Sequence, residues 1–288
     1  GMRYAEAVLD NIRREGIDNT LTLELFDAVP EAYMRRIERS CPSFAMEISP
    51  ETHDDHVRGL MGKPYTTREM ERTIGRALEH GCEKLDVFFM VGLPGQTRES
   101  ALESVEYSRR LLEKHGRDGR VHPFIAPMAP FLDPGSLAFE QPRKHGYIRI
   151  YGTLREHREA LRQPSWKLYL NYRTRWMTRD EIADTTYESM IRMNDLKRDF
   201  DITDAERAAE VSAGLNLAWE IVHEIDGIIA STDDEEERLR RYRGLKAEMD
   251  RSKRSTDFAK TELRAPGAAG VRFKGVLRYL LRRARLIR

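Results

Sequence analysis

Residues 85–97 read LDVFFMVGLPGQT, Leu85 to Thr97. From Leu85 to Val91 the stretch carries one charge, Asp86, and is rich in Val and Phe, the pattern of a strand covered on both faces. At Gly92 the apolar run stops. Gly92 and Gly95 flank Leu93 and Pro94, so the backbone can turn tightly and approach a ligand with no Cβ in the way, and Thr97 can cap the helix that follows. A strand, a glycine loop and a helix in that order place this loop at the C-terminal edge of a parallel sheet, where such sheets bind ligands. As a motif alone, Gly-x-Pro-Gly is equally an ordinary turn.

Working outward, the pattern repeats. Ala5, Val8, Leu9 and Ile12 recur at helical spacing from Tyr4 to Arg14, and Leu21, Leu23 and Leu25 then alternate as a strand does. Pro30 opens a helix carrying Tyr33, Met34 and Ile37, and Phe44 to Ser49 is the next strand. A polar turn, PETHDD, leads into a helix with Val57, Leu60 and Met61. Thr66 with Glu69 forms a capping box, Gly81 ends that helix, and the strand at Leu85 follows. Ala101, Leu102, Val105, Leu111 and Leu112 mark a long amphipathic helix. Residues 121–130, VHPFIAPMAP, form a proline-interrupted strand suited to a sheet edge.

This alternation predicts a parallel sheet of about four strands joined by right-handed crossovers, too few for a closed eight-stranded barrel. The expected fold is therefore α/β, a partial, incomplete TIM-like barrel with a C-terminal helical extension. From Leu137 onward the expectation is helix without further strands. Thr178 with Glu181 and Thr203 with Glu206 mark two further capping boxes, and Asp233 to Glu237 place acid at another helix start. The boundaries drawn are 2–136 for the barrel portion, 137–263 for the helical extension and 264–288 for a basic tail.

Lys and Arg total 49 against 48 Asp and Glu, so no global field argues for a nucleic-acid partner. Nothing reads as a signal peptide or membrane span, which gives a cytoplasmic expectation. Gly1 before Met2 reads as a tag remnant.

Three pieces carry a family resemblance: LTLELFD at 21–27, EISPETHDDHVRGLMGKPYT at 47–66 and DVFFMVGLPGQT at 86–97. In order and spacing, Leu21 to Thr97 resembles the radical S-adenosylmethionine (radical SAM) superfamily, in its Elp3/MiaB/NifB-like branch, which includes cobalamin-dependent members. The resemblance implies a six-stranded partial barrel whose third to sixth strands are present here and whose first two are not. It implies S-adenosylmethionine and a [4Fe-4S] cluster in the complete enzyme, with cobalamin as a further option. The family's cluster is held by a CxxxCxxC loop, because iron–sulfur clusters take thiolate ligands. Cys41 and Cys82 cannot supply three ligands and read instead as small buried hydrophobes. The chain is expected to bind no cluster and to be inactive alone.

Glu51-Thr52 aligns with the Glu-Ser or Gln-Ser pair after the family's fourth strand, which implies contacts to the ribose or amino-acid end of S-adenosylmethionine. A carboxylate and a hydroxyl suit a diol or an ammonium group; equally, the pair can simply shape a turn. Gly92, Leu93, Pro94 and Gly95 are placed by the resemblance against the adenine or methionine part. Phe88, Met90 and Pro94 would then form an apolar wall. Glu24 and Glu47 alternate on their strands so that either can face the barrel interior or the helices. His53, Asp54, Asp55 and His56 lack a spacing that converges on one ion, so no metal site is expected there.

Trp166, Tyr169, Tyr172 and Trp176 can stack nucleobases but more simply pack the extension on the barrel. The tail from Arg264 to Arg288 has eight Arg or Lys and no acid; membrane, nucleic-acid and partner contacts all fit it. Two functions follow as expectations. The chain is the C-terminal portion of a radical SAM enzyme that generates a 5′-deoxyadenosyl radical, with an unknown substrate. Alternatively it is a stand-alone, non-catalytic remnant acting as a scaffold or partner-binding subunit. In either case the strand at Leu21 has an open edge, and a homo-oligomer is expected there.

Overall fold

The computed structural model describes residues 2–127 and 131–252, together with 276, 277, 280, 281, 283 and 284. Its first half follows the alternation of the sequence. Helix α1 (Met2–Glu15) ends at Gly16, whose φ of 59° lets the chain turn into strand β1 (Leu21–Leu25). Pro30 is the N-cap of α2 (Glu31–Ser40), which buries Met34 and Ile37. Strand β2 (Phe44–Glu51) is followed by α3 (Asp55–Leu60) and α4 (Thr67–Glu79). The expected box between Thr66 and Glu69 is present in both directions at the start of α4. Strand β3 (Leu85–Val91), α5 (Arg98–His115), capped by Thr97, and β4 (Val121–Pro127) complete the series.

The four strands form one parallel sheet in the order β1-β2-β3-β4. This is the partial TIM-like barrel. One face packs on helices through Phe44, Met46, Ile48, Leu85, Val87, Phe89, Val91, Val121 and Ile125, all buried. Each such side chain contributes roughly 1.5–3 kcal/mol of burial. Helices α1, α2 and α4 follow one another in the outer layer, and Tyr107 and Lys114 of α5 reach Glu71 of α4. The proline-containing β4 is the last strand, as its missing N–H groups require.

Beyond β4 lie α6 (Leu137–Glu140), β5 (Tyr147–Arg149), α7 (Leu154–Ala160), α8 (Trp166–Tyr169) and β6 (Tyr172–Thr174). The expectation of helix alone after Leu137 is corrected here, because β5 and β6 pair antiparallel. Each is three residues long, too short for period-2 alternation to show. Then come α9 (Arg179–Asp199), α10 (Ala205–Ser231) and α11 (Glu235–Ser252). The box at Thr178 and Glu181 is present, but α10 is capped by Asp204, whose carboxylate accepts the Arg207 N–H at 2.8 Å, and not by Thr203. A carboxylate is at least as good an N-cap acceptor as a hydroxyl, so the neighbouring Asp204 takes the role.

Helix α9 packs along β4 and against α5. The main core runs from Leu9 to Leu196 and takes in Tyr147, Tyr172 and Ile182. Smaller clusters join α9 to α10 around Tyr187 and Leu215, and α10 to α11 around Ile225 and Leu245. Among the described residues, no helix is long and apolar enough to cross a membrane. The basic tail lies almost wholly outside the described residues.

Candidate functional site

At the C-terminal end of β2 the backbone departs from a regular strand. The pairing of β2 with β3 shifts between Ile48 and Glu51, and Glu51 takes a φ of 66°, a left-handed conformation uncommon for a residue with a Cβ. The residue is 7% exposed. One carboxylate oxygen accepts from Lys63 Nζ, which also donates to the Ser49 carbonyl, while the other, Oε2, is buried with no hydrogen-bond partner. Burial pushes the Glu51 carboxyl above its ordinary range, and Lys63 works against that shift. The same ammonium lies 5.3 Å from the ring centroid of Phe26, which is exposed at the end of β1.

Thr52 is fully buried, and its hydroxyl accepts the Asp54 N–H at 3.2 Å. Its carbonyl accepts from Arg58, a fully buried arginine. Arg58 Nη2 reaches Thr52 O at 2.7 Å and Thr67 Oγ1 at 3.1 Å, and Nη1 reaches Asp55 Oδ1 at 2.6 Å and Tyr65 O at 2.9 Å. The planar fork thus ties the PETHDD turn to the loop before α4. Asp54 caps α3, and His53 Nδ1 meets Ser104 Oγ at 2.9 Å, so these residues serve the helix start and its packing.

In the loop after β3, Gly92 has φ 97° and Gly95 φ 81°. Gln96, fully buried, bridges the loop. Its Oε1 accepts the Gly92 N–H at 2.9 Å and the Leu93 N–H at 3.2 Å, and its Nε2 donates to the Met90 carbonyl at 2.9 Å. Two of the loop's backbone donors are thereby satisfied within the loop itself. A Cβ at Gly95 would come within 2.9 Å of Leu60 on α3, which is why α3 and the loop sit so close.

The segment around β5 and β6 closes over this loop. A Cβ at Gly92 would lie 3.2 Å from the Tyr172 hydroxyl, and one at Gly146 would lie 2.8 Å from the Trp176 ring and 3.0 Å from Pro94. Tyr172 is fully buried, stands edge-on to Tyr147, and its hydroxyl has no hydrogen-bond partner. The aromatic stretch therefore packs the extension against the loop.

The opposite, inner face of the sheet carries one polar row, and Lys197 of α9 lies over Phe124 on that face, 3.8 Å from the ring centroid. Register places Glu24, Glu47, Asp86 and His122 in one row across β1, β2, β3 and β4. Lys84 Nζ donates to both Asp86 oxygens, at 2.7 and 2.6 Å. Glu24 is exposed and Glu47 half-buried. Burial, and after it the charges of Asp86 and Glu24, hold the Glu47 carboxyl above its usual range, with Lys84 opposing. Phe88 stacks on Phe124 at 5.2 Å in the next row toward the loop, where half-buried Met90 follows.

Glu24, Glu47 and Asp86 thus line the inner face, while Glu51, Thr52 and the 92–95 loop gather at its C-terminal rim. Lys63, Gln96 and Arg58 carry no site reading in the sequence. Gln96 had a signal, being the amide that directly follows the glycine loop; Lys63, twelve residues from Glu51, had none.

The two cysteines do not fit an iron–sulfur cluster. Cys41 and Cys82 are buried at separate helix ends, and burial raises both thiols, Cys82 to about 11. Among the described residues no group of three His, Cys, Asp or Glu side chains is placed to hold a metal ion. At the rim, the unsatisfied Glu51 oxygen is an acceptor for a hydroxyl or ammonium donor.

No family model matches the sequence, and no curated protein matches it. Among solved structures, coproporphyrinogen III oxidase (HemN) from Escherichia coli, titled a radical SAM enzyme, aligns with 70% of this chain at 13% identity and a TM-score of 0.32. The aligned region spans 62% of that protein's chain. The fold assignment here rests on the parallel register and strand order of the sheet itself.

Proposed function

We propose that this chain is the ligand-facing C-terminal portion of a radical SAM-type barrel, of the Elp3/MiaB/NifB-like branch by its three ordered motifs. It contributes contacts to S-adenosylmethionine at the rim and a polar floor for a substrate on the inner face, and no thiolate to a cluster. The observation that carries this is Glu51. A left-handed residue with a Cβ costs of order 1–3 kcal/mol, and a buried carboxylate oxygen with no donor adds to that cost. Both features sit at the C-terminal end of an inner strand of a parallel sheet, where such sheets place their ligands. In the complete family enzyme, S-adenosylmethionine is the source of the 5′-deoxyadenosyl radical. The residues of this chain bind and orient: Glu51 accepts from a hydroxyl or ammonium, and Lys63 holds its other oxygen.

The test is a titration of isotope-labelled chain with S-adenosylmethionine, followed by amide chemical shifts. Saturable shifts at Glu51, Thr52 and Lys63 are expected, and Glu51→Gln should abolish them. No saturable change, or an unchanged response in Glu51→Gln, overturns the proposal.

A second reading is favoured by Gln96, which occupies the Gly92 and Leu93 donors that a bound cofactor would use. On that reading the loop is inherited structure and the chain is a non-catalytic scaffold. Shifts absent from the rim while the fold stays intact would support it.

A further inference from the structure

We propose that residues 276–285 form an interfacial helix that lies on an anionic lipid surface, its leucines among the acyl chains and its arginines on the headgroups. Of the six described residues of this stretch, Val276, Leu277, Leu280, Leu281 and Arg283 are helical. The Ala284 N–H donates to the Leu280 carbonyl at 2.9 Å, the bond that closes one turn of an α-helix. At 3.6 residues per turn, Val276, Leu277, Leu280, Leu281 and Ala284 fall within an arc of about 140°. The stretch therefore has one apolar side.

That side faces solvent. Val276 is 43% exposed, Leu277 58% and Leu280 53%, so three large aliphatic groups sit together in water, where an apolar medium would be favoured. Charge identifies that medium. Residues 264–288 hold eight of the chain's 49 basic side chains and none of its 48 acidic ones, although the chain as a whole is almost neutral at +1. At the same helical period the sequence sets Arg278, Arg282 and Arg285 opposite the leucines.

An anionic bilayer supplies both halves of this pattern at once. Acyl chains take the leucines, and phosphate or carboxylate headgroups take the arginines, whose long stems reach from the apolar boundary to the charged layer. Each basic residue beside such a surface adds to the attraction, which falls off within a Debye length. A nucleic acid would use the arginines and leave the aliphatic side in water, since bases stack on aromatic and guanidinium planes and not on leucine. Ten helical residues rise about 15 Å, half the thickness of the hydrocarbon layer, so the stretch lies on the membrane and does not cross it. This surface is independent of the ligand reading.

Co-sedimentation of the full chain with sucrose-loaded vesicles gives the first readout. The chain should pellet with vesicles of equimolar phosphatidylcholine and phosphatidylserine, and roughly tenfold or more weakly with phosphatidylcholine alone. Added salt should weaken the anionic case. Leu277→Asn with Leu280→Asn keeps every charge and, at exposed positions, should leave the thermal midpoint unchanged while cutting the binding roughly tenfold. Arg282→Gln with Arg285→Gln should weaken it with the leucines intact. Leu280→Cys carrying an environment-sensitive fluorophore should shift to the blue on anionic vesicles, and Cys41 and Cys82 are buried and silent to the label. No pelleting with anionic vesicles overturns the proposal. So does binding that survives the double asparagine variant, or binding to duplex DNA that displaces the chain from the vesicles.

Discussion

Gln96 Oε1 accepts the Gly92 N–H at 2.9 Å, so the glycine loop after β3 is held closed by an amide from within the same loop. The Gln96 amide also satisfies Leu93 N and Met90 O, so removing it strands three buried backbone groups at once. Gln96→Ala should cost about 2–4 kcal/mol, given roughly 1–3 kcal/mol for each unsatisfied buried group and partial relaxation. Urea denaturation should show a lower midpoint with an unchanged slope. A change within error would mean that the loop opens to water at no cost.

Gly92 and Tyr172 form a coupled pair. Gly92→Ala forces a Cβ onto a φ of 97° and against the Tyr172 hydroxyl. A loss of about 1–3 kcal/mol is expected. Tyr172→Phe removes a buried hydroxyl that has no partner, so it should be neutral or stabilising, and it should relieve part of the Gly92→Ala penalty. The double-mutant cycle measures that coupling, and strict additivity would contradict it.

Arg58 makes four hydrogen bonds from a fully buried guanidinium. Arg58→Met should cost about 3–5 kcal/mol, the range for breaking a buried charged network, and should open the 61–66 loop to protease. Arg58→Lys should recover little, because one ammonium cannot span the carbonyls of Thr52 and Tyr65 together.

Two groups give pH signatures of the same sign in different windows. The Glu47 carboxyl titrates above its unfolded value, so the native state holds its proton more tightly; stability is gained below that raised pKa and falls as pH rises from the ordinary carboxylate value through it. Glu47→Gln should therefore stabilise the protein at neutral pH, with the gain shrinking in acid. His80 is hydrogen-bonded to Glu31 at 2.7 Å and Glu38 at 2.8 Å, and these bonds raise its pKa. Its contribution is fully present below the unfolded histidine value and is lost as pH rises through the raised one. His80→Gln should flatten that limb of the stability profile, which denaturation midpoints across pH 5–8 would reveal.

The alternation of strands and helices from Leu21 to Pro127 and most caps are legible in the sequence, because hydrophobic period and capping chemistry are local. That two cysteines cannot supply three thiolates is equally legible, since it is a matter of count. The remaining features come from contacts between distant segments. Glu24, Glu47 and Asp86 became one row through strand register, and Lys63 met Glu51 through a bulge and a turn; neither is encoded within a window of sequence. The pairing of β5 with β6, and the seating of Tyr172 on Gly92 and Trp176 on Gly146, were hidden for the same reason. Three-residue strands carry no readable period, and a glycine's need for empty space is set by whichever distant side chain fills it.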